Sequence, residues 1–365
     1  MSIQLNLKNV LEKEGKTLYR LCKDTGLSYQ QGHAIANKQT TRIDLNTIDT
    51  LCDYLQCDPS ELISFETSIL KKEIKKFPLT ENSKRVASST EDNAPKPFLQ
   101  WVGGKREMIP QYKNYFPKKY NQYLEPFLGG GAMFFELAPT KAFLNDNNQE
   151  LFEAYKGVRD FPEMVISILN SLKERHSLEL YMRVRELDRE YDLFKDFRDY
   201  EIAARMIYLN QTCFNGVYRV NQKGQFNVPI GSSLNRLICD KDTILNASKV
   251  LKKASIECSD FEKMIANAKK GDLVFLDPPY YPVSKHSDFT RYTKEKFYQE
   301  DQVRLKETID KLTKKGAYVM LANSDCDFIR NLYKGFSIHT VQSSRSLNCK
   351  SDKRGKVSEV LITNY

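Results

Sequence analysis

The 365-residue chain contains no apolar run that approaches the length of a membrane span, so membrane-embedded functions are not expected. Its eight cysteines are scattered and form no C-x-x-C pair. Neither a zinc site nor a disulfide framework is expected, no metal is implied, and the thiols fit a reducing cytoplasm. The opening Met1-Ser2-Ile3-Gln4-Leu5 lacks the character of a signal peptide. There is no G-x-G-x-x-G and no P-loop lysine, so neither a dinucleotide nor ATP is indicated. Negative charge is in deficit: the net charge is +9. The deficit is uneven, because residues 1–70 hold seven Lys/Arg against nine Asp/Glu and the remainder carries +11. A basic main body favours a polyanionic partner.

Residues 1–70 read as a small all-α module. Leu7, Val10 and Leu11 recur at helical spacing. Thr17 is placed to cap a second helix that Gly26 stops, Ser28 a third over Tyr29 to Asn37, and Asp44 a fourth. Asp58-Pro59-Ser60-Glu61 has the order of a fifth helix start. Two short helices around Thr25-Gly26-Leu27 have helix-turn-helix spacing. The module resembles the Cro/phage-repressor type of DNA-binding domain. That resemblance implies base contacts from Ser28, Tyr29, Gln30 and Gln31. Gly32, inside the recognition helix, is a departure, since glycine there costs about 1 kcal/mol against alanine. Residues 71–97, a lysine-rich charge run and then a polar stretch, read as a flexible linker.

The body, residues 98–365, is organised around Asp277-Pro278-Pro279-Tyr280. The preceding Asp272 to Leu276, opened by Gly271, reads as a buried parallel strand. It delivers an acid, a rigid carbonyl and a flat ring at its C-terminal end, where open α/β sheets bind ligands. That set suits a planar exocyclic amino group. Upstream, Trp101-Val102-Gly103-Gly104-Lys105 offers glycines for close backbone approach and a lysine that can neutralise a carboxylate. Tyr123 to Ala132, containing Glu125, Phe127 and Gly129 to Gly131, reads as strand, glycine-rich turn and helix start. Asp146 ends the next strand, where an acid takes ribose hydroxyls.

Together these motifs resemble the Dam-type (D12 class, α-group) DNA adenine-N6 methyltransferases over residues 96–365. The family pattern K-P-F-L-x-W-x-G-G-K runs here from Lys96 to Lys105. The resemblance implies S-adenosyl-L-methionine as cofactor, with Trp101 and Lys105 at its methionine end. Glu125, Phe127, Gly129 and Gly131 would form the main cofactor loop, and Asp146 would bind the ribose. Asp260 and Phe261 would hold the adenine, and Asp277 to Tyr280 would be catalytic. The implied fold is a Rossmann-like methyltransferase sheet with a target-recognition insert at about residues 147–250.

Within that insert, residues 150–210 read as helices. Val217–Val220 and Gln225–Val228 read as strands of a hairpin turned at Asn221 to Gly224. Such a ribbon fits the DNA major groove, with Arg219 reading guanine, Lys223 touching phosphate, and Phe214, next to Asn215, wedging into the base stack. The stretch resembles the recognition hairpin of Dam-type enzymes that methylate GATC in double-stranded DNA. After Tyr280, a loop with Lys285, His286 and Arg291 could close over the base or track the backbone. Arg345, Lys353 and Arg354 are further candidates for phosphate contact. The expected activity is methylation of adenine N6 by direct displacement on a flipped base. The alternatives are an RNA base methyltransferase and a transcription regulator with a retained cofactor domain. A monomer or weak dimer, and a cognate restriction endonuclease acting on the same site, are compatible with this reading.

Overall fold

The computed structural model describes residues 2–5, 7–37, 40, 42–57, 59–66, 68–80, 94–232, 237–282, 297–344 and 356–365. The chain divides into two units, Met1–Lys72 and Glu73–Tyr365.

In the first unit the expected caps form. Thr17 accepts from the Arg20 N–H, Asp44 from the Thr47 N–H, and Gly26 closes the second helix at φ 76°. The helices are Leu7–Lys13, Leu18–Thr25, Tyr29–Ala36, Leu45–Leu55 and Pro59–Leu62. Their apolar faces enclose Leu7, Leu11, Leu21, Ile35, Leu51 and Leu55. Asp58, the expected cap of the fifth, lies outside the described residues. Gly32 has a packing reason: a Cβ there would lie 2.4 Å from Cys22 Sγ on the neighbouring helix. The unit is not purely helical. Strand β1 (Ser2–Leu5) pairs antiparallel with β2 (Ile63–Glu66). Both alternate polar and apolar residues, the pattern of a half-buried strand.

The expected linker is partly structured. Ile69–Lys75 is helical, with Leu70 and Ile74 spaced i, i+4 and buried. Residues 81–93 lie outside the described residues.

The second unit is built on a seven-stranded sheet. Its strands are β3 (Tyr123–Glu125), β4 (Ala142–Asn145), β5 (Ala254–Glu257), β6 (Leu273–Leu276), β7 (Tyr318–Ser324), β8 (Ser337–Ser344) and β9 (Lys356–Thr363). Their order is β5-β4-β3-β6-β7-β9-β8, parallel through β7 and antiparallel at β9 and β8. Strand order reverses between β3 and β6, so the ligand crevice of a doubly wound sheet opens above Glu125 and Asp277. All four residues of β6 are buried, as expected of a strand covered on both faces. The expected last strand is β9. Strand β8, which pairs with β9 alone, was not expected. Its sequence, Ser-Ile-His-Thr-Val-Gln-Ser-Ser, carries little apolar signal.

Helices Gln149–Asp160, Pro162–Glu174, Leu178–Glu186 and Asp199–Thr212 follow β4. The last is buried along nearly its whole length, and Gly157 lets the first approach it: a Cβ there would lie 2.3 Å from the Asp199 carbonyl oxygen. Among the described residues no helix is long and apolar enough to cross a membrane. Lys285, His286, Arg291, Arg345, Lys353 and Arg354 lie outside the described residues.

The Cys22–Gly32 contact sets two effects against each other. Alanine at position 32 gains about 1 kcal/mol of helix propensity. Overpacking at 2.4 Å costs about 1–3 kcal/mol, so the clash wins. Gly32→Ala is expected to lower the unfolding midpoint of the first unit in urea and leave that of the second unchanged.

Candidate active site

The buried strand β6 delivers Asp277 to the crevice, and Lys105 meets it there. Lys105 Nζ lies 2.8 Å from Asp277 Oδ1, with only 6% of its side chain exposed. The same ammonium donates to the Gly103 carbonyl at 2.5 Å and sits 4.8 Å from the centroid of the Tyr280 ring. One cation therefore ties the carboxylate, the Trp101–Lys105 loop and the aromatic together. The Asp277 pKa is raised: burial pushes it up most and the Glu359 charge adds to this, while the Lys105 charge and hydrogen bond oppose it.

The rest of Asp277 to Tyr280 is held from strands β7 and β9 and from the helix Gln299–Lys315. Gln302 Nε2 donates to the Pro279 carbonyl at 2.9 Å, and Asn323 Nδ2 donates to Gln302 Oε1 at 3.0 Å. Asn323 Oδ1 accepts from the Tyr281 N–H at 3.2 Å. The Tyr280 hydroxyl donates to Glu359 Oε2 at 2.7 Å.

Across the switch point, β3 ends in Glu125, which is 2% exposed. Its carboxylate accepts from the Tyr123 hydroxyl at 2.9 Å. Burial pushes its pKa well above the ordinary carboxylate range; the Tyr123 hydrogen bond opposes this and the Asp277 charge adds to it. The following turn needs its glycines. Gly129 and Gly131 have φ of 49° and 66°, and a Cβ would lie 2.8 Å from the Trp101 ring and from the Tyr155 hydroxyl respectively. Asp146 Oδ2 accepts from the Gly129 N–H at 2.9 Å and Oδ1 from the Asn148 N–H at 3.0 Å, which shapes the turn. Tyr155 donates to the Gly129 carbonyl at 3.0 Å.

Asp260 caps the helix Phe261–Ile265 through the Glu262 N–H and meets Arg304 Nη2 at 2.9 Å. Arg304 lies over the Phe261 ring at 4.6 Å, and Phe127 and Phe297 complete an aromatic cluster.

Trp101, Lys105, Glu125, Phe127, Gly129, Gly131, Asp146, Asp260, Phe261 and Asp277 to Tyr280 all line one cavity of about 1120 Å³. Asn215, Arg304 and Glu359 line it too. The last two were not expected. Each meets its partner across a long stretch of sequence, so no local motif marks them. Among the described residues no group of His, Cys, Asp or Glu could hold a metal ion.

The expected recognition hairpin differs in detail. Val217–Val220 and Gln225–Val228 do not form strands; Val220 and Phe226 make an isolated bridge, as do Cys213 and Ile230. Two ladder bonds flank the Val220–Phe226 pair, the Asn227 N–H on the Arg219 carbonyl at 3.1 Å and the Asn221 N–H on the Gln225 carbonyl, so the Phe226 backbone groups face out of the ribbon. Asp188 Oδ2 accepts from the Phe226 N–H at 2.8 Å, and Arg189 Nη2 donates to its carbonyl at 3.1 Å. The turn itself closes as expected, with the Asn221 N–H on the Gln225 carbonyl at 2.8 Å. Lys223 is exposed at its tip. Arg219 is exposed and its Nε donates to Asn227 Oδ1 at 2.8 Å. Phe214 is 49% exposed, and Asn215 sits at φ 54°.

This insert is fastened to the cavity wall. Asn210 accepts from the Gln100 N–H and donates to the Gln100 and Gly216 carbonyls, each at 2.8 Å. Tyr218 stacks on Trp101 at 5.1 Å and donates to Glu150 at 2.9 Å. Arg205, with no side-chain exposure, meets both Glu150 and Asp188.

In the first unit, Ser28 and Gln31 close a capping box on each other, while Tyr29 and Gln30 are exposed.

Comparison with known proteins adds the following. A family model described as D12 class N6 adenine-specific DNA methyltransferase matches residues 101–347. A Cro/C1-type HTH DNA-binding domain model matches residues 6–68. The chain is 46% identical to the Type II methyltransferase M1.LlaDCHI of Lactococcus lactis subsp. cremoris, over 74% of this chain and 95% of that protein. It is 41% identical to the Type II methyltransferase M.MjaIII of Methanocaldococcus jannaschii, over 74% and 99%. Identity to the DNA adenine methylase of Escherichia coli K12 is 30%, over 72% and 93%.

The buried Glu125 makes a pH prediction. Its folded pKa is raised above the ordinary 4.5, so the folded state keeps a proton that the unfolded chain releases. Its contribution to stability is therefore present at low pH and lost as pH rises through the folded value. Glu125→Gln keeps an acceptor for Tyr123 without the ionisation. At about pH 8 it is expected to melt about 2–4 °C above the wild type, the gap closing towards about pH 5. Thermal unfolding across that range checks this; a variant that melts below the wild type at pH 8 contradicts it.

Proposed function

The chain belongs to the D12 class of N6 adenine-specific DNA methyltransferases, and from that premise we propose that it methylates adenine within GATC, using S-adenosyl-L-methionine and a flipped-out target base. The observation that carries this reading is the cluster of Lys105, Asp277 and Tyr280 in the same cavity as the glycine turn.

The cavity's residues fit the cofactor. The two glycines hold the backbone open where a Cβ would fill the cradle, and the buried Glu125 carboxyl stands at the end of β3 in the same cavity. Trp101, Glu125, Phe127, Gly129, Gly131 and Asp146 would hold it, with Asp260 and Phe261 at its adenine. When bound, S-adenosyl-L-methionine supplies an electrophilic methyl group on a cationic sulfur.

The chain's own residues do the rest. The target N6 is inside a duplex, so the base must leave the stack, at a cost of about a few kcal/mol. Tyr280 offers its ring for stacking. Asp277 and the Pro278 carbonyl accept the two N6 hydrogens, which draws the nitrogen lone pair out of conjugation. Positive charge then develops at N6, and the Asp277 carboxylate stabilises it where it appears. The Lys105 charge and hydrogen bond oppose the upward push of burial on that carboxylate. The N6 proton can leave after methylation, so no strong base is required. No cysteine nucleophile takes part.

The GATC assignment rests on the likeness of residues 210–229 to the recognition hairpin of Dam-type enzymes. The exposed Arg219 and Lys223 support it as base and phosphate contacts, and Phe214 as the wedge. In the first unit, the exposed Tyr29 and Gln30, with Ser28 and Gln31 at the same helix start, are the proposed groove contacts. We assign that unit a second DNA-binding role, as a tether or a promoter-specific repressor.

Labelled-methyl transfer to two short duplexes, one with GATC and one with its centre scrambled, tests this. Label is expected on adenine N6 of the GATC duplex alone, and Asp277→Ala should lower the rate by about 10²-fold or more. Label in both duplexes contradicts the GATC assignment, and label on RNA alone contradicts the DNA reading. Removing residues 1–70 is expected to keep the site preference and weaken DNA binding at raised salt. Unchanged binding contradicts the second role.

A further inference from the structure

Glu359 is a carboxylate inside the active-site cavity that no motif of the sequence explains. It stands on β9, opposite Ser324 of β7 and Val341 of β8. It is half-buried, and its Oε2 accepts the Tyr280 hydroxyl at 2.7 Å. A charged acceptor makes that bond about twice as strong as a neutral one.

The Tyr280 ring is thereby held at two points. Its hydroxyl is tied to Glu359, and its face carries the Lys105 ammonium at 4.8 Å. Lys105 is itself fixed by Asp277 at 2.8 Å and the Gly103 carbonyl at 2.5 Å. A side chain pinned at both its tip and its face loses most of its rotamer freedom before any base arrives. A ring that must receive a flipped base gains from this, because ordering it during binding would cost about 0.5–1.5 kcal/mol.

Resting on the proposed function, we propose that Glu359 is a positioning residue of this active site: its carboxylate fixes the Tyr280 hydroxyl and so sets the plane on which the target adenine stacks. It acts through Tyr280 and touches neither the transferred methyl group nor the N6 proton. The antiparallel end of the sheet is thus part of the catalytic apparatus, supplying a group that the parallel strands do not.

The test is a double-mutant cycle in the full chain. Tyr280→Phe, Glu359→Ala and the double variant are compared for methyl transfer on the GATC duplex, and a second duplex with 2-aminopurine in place of the target adenine reports base extrusion. Each single change is expected to lower kcat about tenfold and to reduce the 2-aminopurine signal, with the KM for cofactor unchanged. The double variant is expected to be no worse than either single, because both remove the same bond. Glu359→Gln, whose amide oxygen still accepts, should recover most of the rate. Glu359→Asp, which keeps the charge but draws back by one methylene, should not. Multiplying effects in the double variant overturn the proposal, as does Glu359→Asp at wild-type rate. If Glu359→Ala does not fold, the Gln and Asp variants decide alone. A wild type that labels no duplex contradicts the function itself; a wild type that does, with Glu359 variants equal to it, contradicts only this inference.

Discussion

An ammonium and a carboxylate 2.8 Å apart, both largely withdrawn from water, are the constraint on which this active site depends. Either charge alone would be expensive there. Asp277 is delivered by a strand buried on both faces, so it cannot move to solvent. Lys105 comes from a loop more than 150 residues earlier and reaches it across the cavity. The pair therefore does two things. It ties the Trp101–Lys105 loop to the end of β6, and it opposes the upward push of burial on the Asp277 carboxyl.

Much of the surrounding structure serves to hold that pair beside the glycine turn. The reversal of strand order between β3 and β6 opens the crevice. Asp146 and Tyr155 clamp the turn from the far side, through the Gly129 N–H and carbonyl. The recognition insert is tied to the same wall twice, by Asn210 at Gln100 and by the Tyr218–Trp101 stack. The Trp101 ring would meet a Cβ at Gly129 at 2.8 Å. One aromatic ring therefore touches both the insert and the glycine turn.

The chemistry was legible in the sequence where it was local. Gly271 followed by an apolar run marked β6, and the acid, two prolines and tyrosine that follow it line the cavity together. The glycine turn and Asp146 were readable for the same reason. What escaped was set by partners distant in sequence. Glu359 meets Tyr280 from 79 positions away. Strand β8 is an edge strand with little apolar content, so its only strong signal is its pairing with β9. The hairpin erred in the opposite sense. Its residues read as two strands, but pairing stops at the single Val220–Phe226 bridge, whose outward-facing backbone groups meet Asp188 and Arg189. Gly32 looked like a helix defect and proved to be a contact with Cys22.

The most direct measurement is the pH dependence of kcat/KM for methyl transfer in Lys105→Met beside the wild type. Removing the ammonium leaves burial and the Glu359 charge to act on Asp277 unopposed, so its pKa rises and activity is reached only at higher pH. The expected result is an acid limb displaced upwards by about 1–3 units, with the rate partly restored in alkali. A limb that stays in place while the rate falls equally at every pH would contradict the account, because Lys105 would then act elsewhere than on the Asp277 carboxylate.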